Sequence, residues 1–114
     1  MIHGFIKTAA VTPKVHVADP EGNAREIIRL AKEAAGNGAK IIVFPELCIT
    51  GYTCGDLFLQ ELLLESAKEA LLQIIRETRE LDALIFAGLP WEKEGKLYNV
   101  AAVFQGGKLL GLVP

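Results

Sequence analysis

The stretch Ile41-Ile42-Val43-Phe44-Pro45-Glu46 limits what this chain can fold into more than any other. A short apolar run rich in β-branched residues is the pattern of a strand buried on both faces, as in a parallel sheet. Pro45 has no N–H to give to a ladder, so the strand is expected to end there. Glu46 then falls just past the carboxyl end of the strand, where open α/β sheets place their ligands. A carboxylate next to so much apolar sequence is costly to bury unless something pairs with it. Two readings of Glu46 follow. It is either a catalytic carboxylate, expected to be partly buried, or a structural one tied to a helix N-terminus or an arginine.

The flanking sequence sets this strand in a repeating pattern. Phe5 to Val11 reads as a first strand closed by Thr12-Pro13. Asp19-Pro20-Glu21 reads as a helix start, with Asp as the cap, Pro at the first helical position and Glu in the first turn. Ala24, Ile27, Ile28, Ala31, Ala34 and Ala35 follow at helical spacing, and Gly36-Asn37-Gly38 stops the helix. After the Lys40–Phe44 strand, a loop to about Gly55 leads to Asp56, a candidate helix cap. A second helix is expected over Gln60–Leu81, with Leu63, Ala67, Ala70, Leu71, Ile74 and Thr78 on one stripe. Ala83–Leu89 reads as a third strand, ended by Gly88 and Pro90. Leu97–Phe104 and Leu109–Val113 flank Gly106-Gly107, a hairpin signal. The expected order is βαβαβ, then an antiparallel β-hairpin, in the α/β class. The crossovers make the first strands parallel.

Composition removes several function classes. The 114 residues allow one domain at most, 51% of them are apolar, and the net charge is −2. That balance argues against nucleic acid and against an anionic membrane as partner. No apolar run approaches the roughly 18 residues that span a bilayer. The N-terminal residues lack the shape of a secretory signal, so a cytoplasmic location is expected. Cys48 and Cys54 have neither a redox nor a zinc spacing and read as packed thiols; no metal site is expected. His3 and His16 read as surface residues. No G-x-G-x-x-G or P-loop is present. The last strand lacks a following helix to cover the sheet, whereas α/β sheets are covered on both faces. Either a second subunit or a longer chain would provide the cover.

Several segments together resemble the nitrilase, or carbon–nitrogen hydrolase, superfamily. They are Ala9-Ala10-Val11-Thr12-Pro13, Ala18–Asn23, Phe44-Pro45-Glu46-Leu47, Thr50–Phe58, Gly88-Leu89-Pro90 and Leu97-Tyr98-Asn99. They run in the family's order over nearly the whole chain. The Gly55-Asp56-Leu57-Phe58 extension is most similar to the N-terminal glutaminase domain of glutamine-dependent NAD⁺ synthetases. The resemblance implies the N-terminal portion of an α-β-β-α sandwich, with residues 1–114 a partial domain. It also implies a Glu–Lys–Cys mechanism, in which the Glu is general base and maps to Glu46. The family's Lys follows a Val-Pro like Val113-Pro114 and its Cys lies further on, so both would fall outside these residues.

The same resemblance implies glutamine as substrate and no cofactor for this domain. ATP and Mg²⁺ would serve a separate synthetase domain, and the 114 residues alone would be inactive. Alternatives are a stand-alone ω-amidase or nitrilase-type amidohydrolase, and a non-catalytic α/β module. Tyr52 is a candidate for lining the substrate pocket or, equally, a hydrogen-bonded structural residue. Asn99 is expected to fix backbone near the site, and Lys108 is a turn lysine. A thiol beside a carboxylate is held in its neutral form, which argues against Cys48 as nucleophile. The bare apolar strands, Val100–Phe104 and Leu109–Leu112, make a homo-oligomer or self-association the expected state.

Overall fold

A computed structural model describes residues 4–51 and 61–114. The order is β1 (Thr8–Ala10), α1 (Pro20–Gly36), β2 (Ile41–Val43), α2 (Glu61–Glu77), β3 (Leu84–Lys93), β4 (Lys96–Gln105) and β5 (Lys108–Val113). All five strands form one sheet in chain order. β1, β2 and β3 are parallel, and β3, β4 and β5 form an antiparallel meander. The α/β class and the element order are those expected. Tyr52, Cys54, Asp56 and His3 lie outside the described residues.

The start of α1 and the end of α2 fall where local chemistry dictates. The Asp19 carboxylate accepts from the Gly22 backbone N–H, and Pro20 occupies the first turn of α1. α2 stops at Glu77, four residues before the sequence suggests. The Thr78 hydroxyl donates to the Ile74 carbonyl at 2.7 Å, and the chain then turns through Leu81. Hydroxyl back-bonding of this kind competes with helix continuation. Regular pairing of β1 covers only Thr8–Ala10 of the expected Phe5–Val11, and Phe5 is exposed.

Both helices pack on one face of the sheet. Ile27 and Ala31 of α1 share a core with Ala67, Ile74 and the inward residues Ile42, Ile85, Leu89 and Phe104. This core buries the stripe read from the sequence. It also holds Asn23, a polar residue that the apolar pattern does not reveal. Asn23 Oδ1 accepts from the His16 N–H at 2.8 Å. Its Nδ2 donates to the carbonyls of His16 at 2.7 Å and Ile49 at 2.8 Å. One side chain thereby ties the loop after β1 to the loop after β2, with every polar atom engaged.

β3 does not end at Gly88 or Pro90 but runs on to Lys93. The carbonyls of Phe86 and Gly88 accept from Phe44 and Ile49, on the side of β3 that faces β2. Backbone polarity repeats every two residues, so the missing N–H of Pro90 points to that same side, beyond the last residue of β2. Its partner across β4 is Asn99, and that ladder loses nothing. Glu94-Gly95 and Gly106-Gly107 then make two-residue turns, all four with positive φ, as tight hairpins require. The first turn was not legible, because Glu-Gly is a weaker signal than Gly-Gly. Between Val103 and Phe104 the β4–β5 register slips by one, leaving Leu110 as an extra residue.

Val100, Ala102 and Phe104 are buried under the helices, so the stretch expected to be bare is only half so. The open face instead carries Val43, Phe86, Ala101, Val103 and Val113, with Val43 and Val113 exposed. Among the described residues nothing covers it. An apolar face of this kind drives association. The isolated 114-residue chain is expected to elute as dimers or larger species in light-scattering chromatography, and a clean monomer would contradict this.

Candidate active site

Glu46 stands at the carboxyl end of β2, an interior strand, as expected. The segment that carries it is built tightly. Phe44 N–H extends the parallel ladder to the Phe86 carbonyl at 2.9 Å, and Pro45 ends it. The chain then turns, with Leu47 in the left-handed region at φ +52 and the Gly51 N–H closing onto the Leu47 carbonyl at 2.6 Å. A branched aliphatic residue in that region is strained, and such strain persists only where surrounding structure imposes it.

The imposing contact comes from β3. A Cβ built on Gly88 would lie 2.4 Å from the Leu47 nitrogen and 2.9 Å from the Pro45 carbonyl oxygen. The backbone around Glu46 therefore runs directly over the bare Cα of Gly88, an approach open only to glycine. The Ile49 N–H donates to the Gly88 carbonyl at 3.1 Å. The sequence marks Gly88 as a strand terminator, whereas its role is to receive the loop.

The side chain of Glu46 is exposed rather than partly buried. It projects over the open face, where no described element is stacked. Asn99 of β4 meets it there, with Nδ2 donating to Glu46 Oε1 at 2.5 Å. Asn99 thus holds the carboxylate itself and not backbone. This partner is an amide, neither an arginine nor a helix N-terminus. Glu46, Asn99, Gly88 and Ala101 line a depression of about 280 Å³ that Val113 and Pro114 also border.

Cys48, two residues on, has a different fate. Because the chain turns at Leu47, the side chains of Glu46 and Cys48 do not leave on the same side as they would from extended backbone. Cys48 is buried in the core, its thiol 3.8 Å from the Gly88 carbonyl. Burial pushes this thiol up to about 11. At neutral pH it is a neutral packed group. His16 is exposed, and its hydrogen bonds to Asn23 are made by its backbone. Among the described residues, no three His, Cys, Asp or Glu side chains converge as a metal site would require. No helix among them is long and apolar enough to cross a membrane.

Two outcomes check this geometry. Gly88→Ala is expected to cost about 1–3 kcal/mol, the usual penalty for forcing atoms into a filled space, as read by denaturant titration; unchanged stability would refute the close approach. Cys48 is expected to resist iodoacetamide at pH 8 in the folded chain and to react once unfolded in urea, its thiolate becoming plentiful in the fold only as pH nears 11. Rapid native labelling in a peptide map would show the thiol to be accessible.

The family profile for carbon-nitrogen hydrolase matches residues 7–113. The glutamine-dependent NAD(+) synthetase of Mycobacterium tuberculosis is 37% identical over 112 residues, covering 98% of this chain and 16% of that protein. The corresponding synthetase of Aquifex aeolicus is 41% identical over 96 residues, covering 84% of this chain and 17% of its own length. The crystal structure of the Cytophaga hutchinsonii enzyme of the same name superposes with a TM-score of 0.86 at 32% identity, over 94% of this chain and 18% of that one. An amidase from Nesterenkonia sp. superposes at 0.77 over 94% of this chain and 41% of its own. At 22% identity it is alike in fold alone. The chain thus spans about one sixth of the length of the curated relatives it matches.

Proposed function

Since this chain belongs to the carbon–nitrogen hydrolase family, we propose that it forms part of a glutaminase site feeding ammonia to an NAD⁺ synthetase. The observation that carries the reading is the shared depression at the sheet's carboxyl edge. Glu46 lies on one side of it and Val113-Pro114 border it. In the family's pattern a lysine directly follows such a Val-Pro. A residue joined to Pro114 would begin at the edge of this depression, and the reaction needs a cation there for the oxyanion.

In this reading Glu46 is the general base. It takes the proton of a cysteine thiol supplied from beyond these 114 residues, as that sulfur attacks the side-chain amide carbon of glutamine. The lysine ammonium faces the oxygen that gains charge. The C–N bond then breaks, the nitrogen takes the proton back from Glu46 and leaves as ammonia. Water hydrolyses the remaining thioester to glutamate and frees the thiol. Geometry supports the base role: an exposed carboxylate on a fixed backbone can reach a proton brought to the open face. The amidating chemistry, with ATP and Mg²⁺, would be held elsewhere. Neither a phosphate loop in the sequence nor a cluster of acidic ligands among the described residues fits those groups here.

The reading favours a glutaminase over an ω-amidase because the likenesses above 30% identity are to synthetases. A cytoplasmic location and a longer polypeptide belong to the same proposal. The 114-residue chain alone is expected to release no ammonia from glutamine above background. In the full-length protein, Glu46→Gln should abolish glutamine-dependent synthesis while synthesis from added ammonia survives. Gln keeps the shape but cannot accept the proton. Parallel loss of both activities would make Glu46 a structural residue, and retention of both would overturn the glutaminase reading.

A further inference from the structure

We propose that Asn99 is the positioning residue of the Glu46 carboxylate, holding it in the orientation from which it accepts a proton. The inference rests on the glutaminase reading above and assigns a group that reading does not include. Glu46 and Asn99 are 53 residues apart, on different strands, and they meet side chain to side chain. The contact is made at 2.5 Å from amide nitrogen to carboxylate oxygen. The amide NH₂ is the donor and the carboxylate oxygen the acceptor. A bond from an amide to a charged acceptor is stronger and better directed than one between neutral groups.

A stabilising role explains this pair poorly. Both side chains are exposed, and polar pairs exposed to water contribute little to folding. Orientation explains it better. The backbone of Glu46 is already fixed by its passage over Gly88. A hydrogen bond to the carboxylate restricts the side-chain torsions as well. Asn99 supplies that bond from a rigid platform. It sits on β4 directly opposite Pro90, two residues beyond the Gly88–Ala101 pair. The strand that receives the Glu46 loop is therefore also hydrogen-bonded to the strand that carries the amide. Asn99 itself does not titrate and cannot serve as base or acid, so it acts through Glu46.

The test uses the full-length protein, with glutamine-dependent and ammonia-dependent synthesis measured side by side. Asn99→Asp keeps the size but replaces the donor with a second acceptor. It should lower kcat for glutamine by about 10- to 100-fold, the scale of misplacing a reacting group by an ångström. KM for glutamine should stay within about threefold and ammonia-dependent synthesis should not change, since only the orientation of the base is lost. Asn99→Gln keeps the NH₂ donor on a longer stem and should recover more activity than Asn99→Asp. Combined with Glu46→Gln, Asn99→Asp should add no further loss, because a residue acting only through Glu46 has nothing left to act on.

A kcat within twofold of the parent for Asn99→Asp overturns the assignment. So does a loss confined to KM, which would mean contact with substrate, or an equal fall in ammonia-dependent synthesis, which would mean a structural role. If Glu46→Gln leaves glutamine use intact, the glutaminase reading fails. If Glu46→Gln abolishes glutamine use while Asn99→Asp does not lower it, only the Asn99 assignment fails.

Discussion

The approach of the Pro45–Leu47 backbone to the bare Cα of Gly88 is the constraint on which the rest of this site depends. It sets the distance between the end of β2 and the middle of β3. Leu47 is forced into a strained conformation, and the next residues are turned so that Cys48 and Ile49 go into the core while Glu46 stays outside. The Ile49 N–H then meets the Gly88 carbonyl, and Asn23 catches the Ile49 carbonyl from below. Sterics, backbone pairing and a buried amide all act on the same few residues. A loop held at so many points behaves as part of the scaffold, which is what precise placement of a reactive group requires.

The sheet divides its labour between its two faces. The helix side holds the apolar stripes of α1 and α2 over Ile42, Ile85 and Leu89, and it accounts for the fold's cohesion. The other side exposes Val43 and Val113 around the carboxylate. The parallel half supplies the residue at a strand end, as open α/β sheets do. The antiparallel half supplies the amide that meets it. Neither half holds both groups, and the site exists only because β3 belongs to the two at once.

Much of this was legible in the sequence, and the reasons for the exceptions are physical. The helices announced themselves through Asp19-Pro20 and through apolar spacing, because helix caps and amphipathic periodicity are local. The position of Glu46 was legible because Pro45 must end a ladder. The burial of Glu46 was not, since it depends on what lies over the open face rather than on neighbours in the chain. Gly88 and Pro90 were read as breakers, yet each suits an unusual place within a strand: one needs no Cβ, the other no N–H. Which place that is depends on β2 and its loop, some 40 residues away in sequence. Asn23 was hidden for the same reason, its partners being backbone groups of distant loops. Val100–Phe104 looked uniformly apolar, and only the strand register separates Val100, Ala102 and Phe104 from Ala101 and Val103.

The register slip at Leu110 governs something larger than its own size. Side chains along a strand alternate between faces, so a single added residue reverses the assignment of everything after it. With uninterrupted pairing from Leu109 onward, Leu112 would stand opposite Ala101 and face the carboxylate, and Val113 would turn toward the helices. The extra residue exchanges them: Leu112 pairs with Ala102 and packs toward the core, and Val113 pairs with Ala101 on the open side. The bulge therefore acts as a parity switch for the chain's exit. It decides that the Val113 side chain stands on the side of Glu46 and that of Leu112 on the side of the helices.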